Sequence, residues 1–114
     1  MIGKPKLTIN SIGQAACVCL GISINEILGK GRREVSMVRE IIVFIARRRT
    51  CLSFPKIANA FGRKSHSSFI EMHRRAVGKV DQPSGYSNLT FGQLSDEVER
   101  EAERLAGLET KGTA

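Results

Sequence analysis

Apolar residues recur along this chain at three- and four-residue spacing, with no sustained alternation, which predicts helices throughout. Ile9, Ile12, Ala16 and Cys19 or Leu20 line one face of a first helix, expected from about Asn10 to Leu20 and stopped by Gly21. Ser23-Ile24-Asn25-Glu26 has the form in which serine and glutamate satisfy each other's free amides, so a short second helix is expected from Ser23 to Gly29. A basic loop, Lys30-Gly31-Arg32-Arg33, leads to a third helix from about Val35 to Arg49, with Val38, Ile41, Ile42 and Ile45 as its apolar face. Arg47-Arg48-Arg49 fall in its last turn, where cations suit the helix dipole, and this reading is favoured over direct contact with a polyanion. Ser53 is expected to cap a fourth helix, Phe54 to Phe61, with Pro55 in the first turn where its missing N–H costs little. After Gly62-Arg63-Lys64, Ser65 is expected to cap a fifth helix from His66 to about Val80. Its inner face takes Phe69, Ile70, Val77 and either His73 or Ala76. Residues 81–88 read as a linker. A last helix, from about Phe91 to Leu108, opens with the capping pair Thr90 and Gln93. Phe91, Leu94, Val98, Ala102 and Leu105 form its apolar stripe, and Asp96, Glu97, Glu99, Glu101 and Glu103 fill its other faces.

The pattern describes an all-α chain of about six helices, with residues 1–80 as the main unit and 81–114 as a linker plus an acidic amphipathic helix. That helix must bury its stripe, and folding back on its own domain is favoured over docking on a partner. A length of 114 residues suits one compact domain, able to fold without metal or disulfides. No run approaches the about 18 apolar residues of a membrane span, and Met1-Ile2-Gly3-Lys4-Pro5 lacks the features of a signal peptide. A cytoplasmic, nucleoid-associated protein is expected. The three cysteines, Cys17, Cys19 and Cys51, form no C-x-x-C pair and read as buried or half-buried reduced thiols.

Charge sharpens this picture. Residues 1–80 hold 15 Lys/Arg and 4 Asp/Glu, while residues 81–114 hold 3 and 7. A basic body with an acidic tail is a footprint of nucleic-acid binding. Two short helices around a tight glycine turn suggest a helix-turn-helix. Its second helix has a first turn, Ser65-His66-Ser67-Ser68, that carries nothing apolar and follows Arg63-Lys64. Recognition helices present their N-terminal residues to base edges, and hydroxyls, an imidazole and a helix N-terminus suit bases and phosphates.

The stretch Ile57-Ala58-Asn59-Ala60-Phe61-Gly62-Arg63-Lys64-Ser65-His66-Ser67-Ser68-Phe69-Ile70, together with Leu28-Gly29-Lys30, Arg32-Arg33-Glu34-Val35 and Arg39 upstream, resembles the C-terminal DNA-binding domain of the bacterial chromosomal replication initiator, DnaA. The resemblance covers residues 8–80. It implies an all-α helix-turn-helix related to that of Trp repressor, whose second motif helix enters the major groove of double-stranded DNA. By the same resemblance Ser65, His66, Ser67 and Ser68 occupy base-reading and phosphate-contacting positions, and Lys64 and Arg39 basic contact positions. Arg32 or Arg33 is the arginine that reaches the adjacent minor groove, and Lys56 joins the candidate DNA contacts. The family usually carries Asp where this chain has Ser65, and Thr at one or both positions of Ser67 and Ser68. A hydroxyl tolerates either base edge and serine lacks the methyl that packs on thymine, so an altered or relaxed site preference is expected.

The sequence holds no G-x-x-x-x-G-K-[ST], so no nucleotide binding or hydrolysis is expected. His66 and His73, about 10 Å apart on one helix, are too distant to share a metal. No cofactor, metal or enzymatic activity is expected. Met1, the lack of an upstream basic linker helix and the tail argue for a stand-alone homologue over a fragment. The expected function is sequence-specific duplex binding in replication-initiation control or transcriptional regulation. The alternative is a protein-interaction module that docks on the replication initiator or another partner through its acidic C-terminal helix.

Overall fold

The computed structural model describes residues 6–28, 33–86 and 88–112, and for 24, 28, 33–35 and 108–112 the backbone alone. Its helices are α1 (Ile9–Leu20), α2 (Ile24–Leu28), α3 (Arg33–Arg49), α4 (Phe54–Ala60), α5 (Ser67–Gly78) and α6 (Phe91–Gly112). Among the described residues no strand forms. Pro83 and Thr90 make an isolated antiparallel bridge.

Side-chain caps set most of the boundaries. The Thr8 hydroxyl accepts the Ser11 amide and the Ser11 hydroxyl accepts the Thr8 amide, both at 3.0 Å. This reciprocal cap starts α1 at Ile9, one residue before the expected position, with serine in the place of the usual Glu or Gln. Gly21, at φ 67°, closes α1 in the left-handed conformation that glycine adopts without a Cβ clash. The Ser23 hydroxyl accepts the Glu26 amide at 3.2 Å, and that of Ser53 accepts the Lys56 amide at 3.4 Å. At α6, Thr90 and Gln93 cap each other at 2.9 and 3.1 Å, as their spacing predicts.

Helix α3 is the centre of the fold. Val38, Ile41, Ile42, Val43, Ile45 and Ala46 are each no more than 2 % exposed. Helices α1, α2, α5 and α6 all pack against it, and α6 also lies along α1. The stripe of α6 is buried at Phe91, Leu94, Val98 and Ala102, with Leu105 packed partly against the same core. Burying each of its larger members stabilises the fold by about 1.5–3 kcal/mol. The helix therefore folds back on its own domain, as its pattern suggests.

The stretch read as a linker is a pinned loop. The Phe91 amide donates to the Gln82 carbonyl at 2.8 Å, the Gly92 amide to Val80 at 2.9 Å, and the Ser84 hydroxyl to Leu89 at 2.7 Å. A Cβ on Gly92 would meet the Val80 carbonyl oxygen at 3.0 Å, so this closeness of α6 to the end of α5 favours glycine.

The three arginines lie in the last turn of α3, where the dipole favours cations, and they also act as ties. Arg47 donates to the Leu52 carbonyl at 2.9 Å and lies over the Phe54 ring. Arg48 pairs with Glu99 and, at 3.3 Å, with Asp96. Arg49 pairs with Glu99 and, at 2.6 Å, with Glu103. The spacing rules could not show the ties of Arg48 and Arg49, because their partners lie some fifty positions away. The cysteines also differ from expectation. Cys17 is half-buried, but Cys19 and Cys51 are exposed, and all three thiols are free. Burial, then Glu101 and Glu97 on α6, push the Cys19 thiol up, which makes it a poorer nucleophile.

Burial alone would raise the Glu99 carboxyl, but Arg49 and Arg48 outweigh it and hold the group below the ordinary carboxylate value. A carboxyl lowered on folding adds stability that is present above its unfolded value and lost as pH falls through the folded one. Glu99→Gln is therefore expected to lower stability at pH 7 by about 1–2 kcal/mol. It should also flatten the loss of stability expected of the native chain as pH falls below the ordinary carboxylate range. Urea unfolding at a series of pH values measures both effects.

Candidate nucleic-acid interface

Helix α5 begins at Ser67, not His66, and ends at Gly78, not Val80. Ser65 is not its cap residue. That position belongs to His66, at φ −104° and ψ 0°, which makes no side-chain capping bond. The Ser65 hydroxyl lies 3.2 Å from that of Ser67 and only 3.5 Å from the Ser67 amide, because it sits one residue too early for normal capping geometry. The chain leaves the helix at Lys79, whose amide turns back to the Ala76 carbonyl. The positive end of a twelve-residue helix thus faces outward without an acidic group in its first turn.

Only two residues of α5 are buried, Phe69 and Ala76. The Phe69 ring sits 5.2 Å from that of Phe61, at the end of α4. His73 completes the inward line, half-buried with its ring 5.7 Å from Phe54 and 6.4 Å from Phe44. Burial, then Arg47, lower its imidazole from the ordinary value, so it packs as a neutral group. The inner face is thus 69, 73 and 76. Ile70 and Val77, expected inside, are 45 % and 52 % exposed. The inner face is rotated away from Ile70 and Val77, and Phe69 together with a buried carboxylate sets that rotation.

That carboxylate is Glu40, on the inward side of α3 and 8 % exposed. It accepts from Lys79 and pairs with Arg75 Nε at 3.3 Å, which ties the far end of α5 to α3. Sequence reasoning passed over Glu40. The signal available was a single acid directly before the apolar run from Ile41 to Ile45.

With this anchoring, Lys64, Ser65, His66, Ser67 and Ser68 are all exposed at one end of α5, and Lys56 is exposed in the first turn of α4. Arg39 is half-buried. Its Nε donates to the Ile27 carbonyl at 2.6 Å, so it braces the end of α2 as well as carrying charge. Burial, then Arg63, lower the Arg39 pKa, which places Arg63 in the same basic neighbourhood. Arg63 was not among the expected contacts, and its only sequence signal is its place beside Lys64. Arg74 is 76 % exposed and binds both oxygens of Glu71, at 2.5 and 2.7 Å, on the flank of α5. Arg32 lies outside the described residues. Arg33 opens α3, but nothing of its side chain is described. Among the described residues no cluster of His, Cys, Asp or Glu is suited to a metal ion, and no helix is long and apolar enough to cross a membrane.

Residues 9–76 match a family described as the bacterial dnaA protein helix-turn-helix. The chain is similar to the chromosomal replication initiator protein DnaA of Thermodesulfovibrio yellowstonii, with 33 % identity over 87 residues, covering 75 % of this chain and 20 % of that protein. It is 38 % identical over 99 residues to the protein of the same name from Synechococcus sp. strain JA-2-3B'a(2-13), covering 85 % of this chain and 20 % of the relative. A third, from Nostoc sp. strain PCC 7120, is 36 % identical over 78 residues, covering 68 % and 17 %. The chain spans about one fifth of the length of these relatives.

Loss of the Glu40 carboxylate should free the far end of α5. Its partners are partly exposed and regain water, so Glu40→Gln is expected to lower stability by only about 1–2 kcal/mol. Hydrogen exchange should accelerate at Ala76, Val77 and Gly78 more than at Ile41 and Ile42. Equal acceleration at both places would mean that Glu40 acts on the core as a whole.

Proposed function

The chain belongs to the bacterial DnaA helix-turn-helix family, and from that premise we propose that it binds double-stranded DNA, with α5 entering the major groove N-terminus first. The supporting observation is that Ser65, His66, Ser67 and Ser68 are all exposed at the outward end of a helix that Phe69 and Ala76 hold from behind. Serine hydroxyls and the imidazole hydrogen-bond to base edges and phosphate oxygens, and the helix N-terminus favours a phosphate. Lys56 and Lys64 contact the backbone. Arg39 and Arg63 reinforce the positive potential behind the turn. Arg32 or Arg33 reaches the adjacent minor groove.

Residues 1–80 carry the reading surface in this proposal, and residues 81–114 support it. The relatives are named chromosomal replication initiators. This chain is proposed to act at duplex sites of that kind in the cytoplasm, on the nucleoid, controlling replication initiation or transcription. It lacks the phosphate-cradling motif of a nucleotide-binding loop, so its part is binding without catalysis. The alternative, a module that docks through the acidic helix, is less favoured because Phe91, Leu94, Val98 and Ala102 already lie in the core. A partner on that stripe would have to open the fold.

Selection from a randomised duplex library at near-physiological salt tests the reading, and an enriched motif is the expected result. Lys64→Ala should then weaken all sequences alike and reduce the slope of log affinity against log salt by about 1. His66→Ala should weaken the preferred sequence most, by about 1–3 kcal/mol. Full sequence preference in His66→Ala would overturn the assignment of the reading helix.

A further inference from the structure

The exposed large apolar side chains of α5 are Ile70 and Val77. Both fall on the stripe that starts at Ser67, at positions three and ten beyond it, where neighbours on a helix face align. Their distances from the outward end differ greatly. At 1.5 Å per residue, Ile70 stands about 4.5 Å behind Ser67 along the axis, and Val77 about 15 Å behind. The major groove is about 8.5 Å deep. A helix that enters it N-terminus first carries Ile70 below the rim and leaves Val77 outside.

The rest of the outward turn is polar. Ser65, Ser67 and Ser68 offer hydroxyls and His66 an imidazole, and none presents an aliphatic group. Thymine differs from the other bases in the major groove by its 5-methyl group, which only an apolar contact can read. Ile70 is the branched aliphatic side chain on this face within groove depth. Its neighbour Glu71 would repel backbone phosphates, but Arg74 grips both its carboxylate oxygens and neutralises it.

We propose that Ile70 reads the 5-methyl group of a thymine in the preferred duplex, and so sets specificity by an apolar contact one helical turn behind the serines. The inference rests on the DNA-binding reading above. It assigns the methyl recognition that the serines lack to a residue that helical spacing alone would put in the core.

The test uses the duplex selected by the native chain, with each thymine replaced in turn by deoxyuridine, which keeps every hydrogen-bonding group and removes only the methyl. Removal of one methyl contact is expected to weaken native binding about fourfold at one position. Ile70→Ser should bind the thymine and deoxyuridine duplexes alike at that position while keeping its salt dependence. Val77→Ser should discriminate as the native chain does. Ile70 is exposed, so the variant should keep the native helical circular dichroism, and the scan of the native chain stands without it. Indifference of the native chain to every thymine replacement would overturn the proposal, as would an unchanged fourfold effect in Ile70→Ser. A native chain with no preferred duplex at all is a separate result, which overturns the DNA-binding reading itself.

Discussion

The packing of Phe69 against Phe61 is the contact on which the outward surface depends. A helix that presents its first turn to solvent needs an anchor close behind that turn, and α5 has one large buried side chain to provide it. Burial of the ring contributes about 1.5–3 kcal/mol, and an aromatic pair adds about 0.5–1.5 kcal/mol. With the ring fixed, the helix is free to rotate only as far as a second contact allows. Ala76 is fully buried, and Glu40 on α3 holds Lys79 and Arg75 at the far end. Together these contacts set the rotation that turns His73 inward and leaves Ser67, Ile70 and Arg74 outward.

The acidic terminal helix belongs to the same construction. Its apolar stripe closes the core, while Asp96, Glu99 and Glu103 meet Arg48 and Arg49 at the end of α3. Pairing neutralises positive charge at that end of α3, whereas Lys56 and Lys64 remain exposed. Opposite signs in the two parts of the chain thus find one another within a single fold.

Much of this was legible in the sequence, and the limits have physical causes. The helices and several of their ends follow from local chemistry: Gly21, Ser53, and the Thr90–Gln93 pair all act within four residues of one another. The resemblance to the initiator family was carried by a contiguous stretch, and the match over residues 9–76 bears it out. The apolar stripe of α6 was legible because five residues keep helical spacing. The rotation of α5 was not, since Phe69–His73–Ala76 and Ile70–Val77 satisfy helical periodicity equally well. The choice lies in contacts with Phe61, across the turn before α5, and with Glu40, 39 positions before Lys79. The ties of Arg48 and Arg49 were hidden for the same reason. Arg39 looked like a contact residue, yet its hydrogen bond to Ile27 gives it a bracing role that no local pattern announces.

In the proposed mode the outward turn of α5 meets DNA, while α6 serves the fold. Titration of isotopically labelled protein with its preferred duplex, followed through backbone amide shifts, tests this most directly. The largest changes are expected from Lys64 to Ile70 and near Lys56, with α6 from Phe91 to Ala106 little affected. Changes concentrated on α6, with the turn before α5 undisturbed, would contradict this mode.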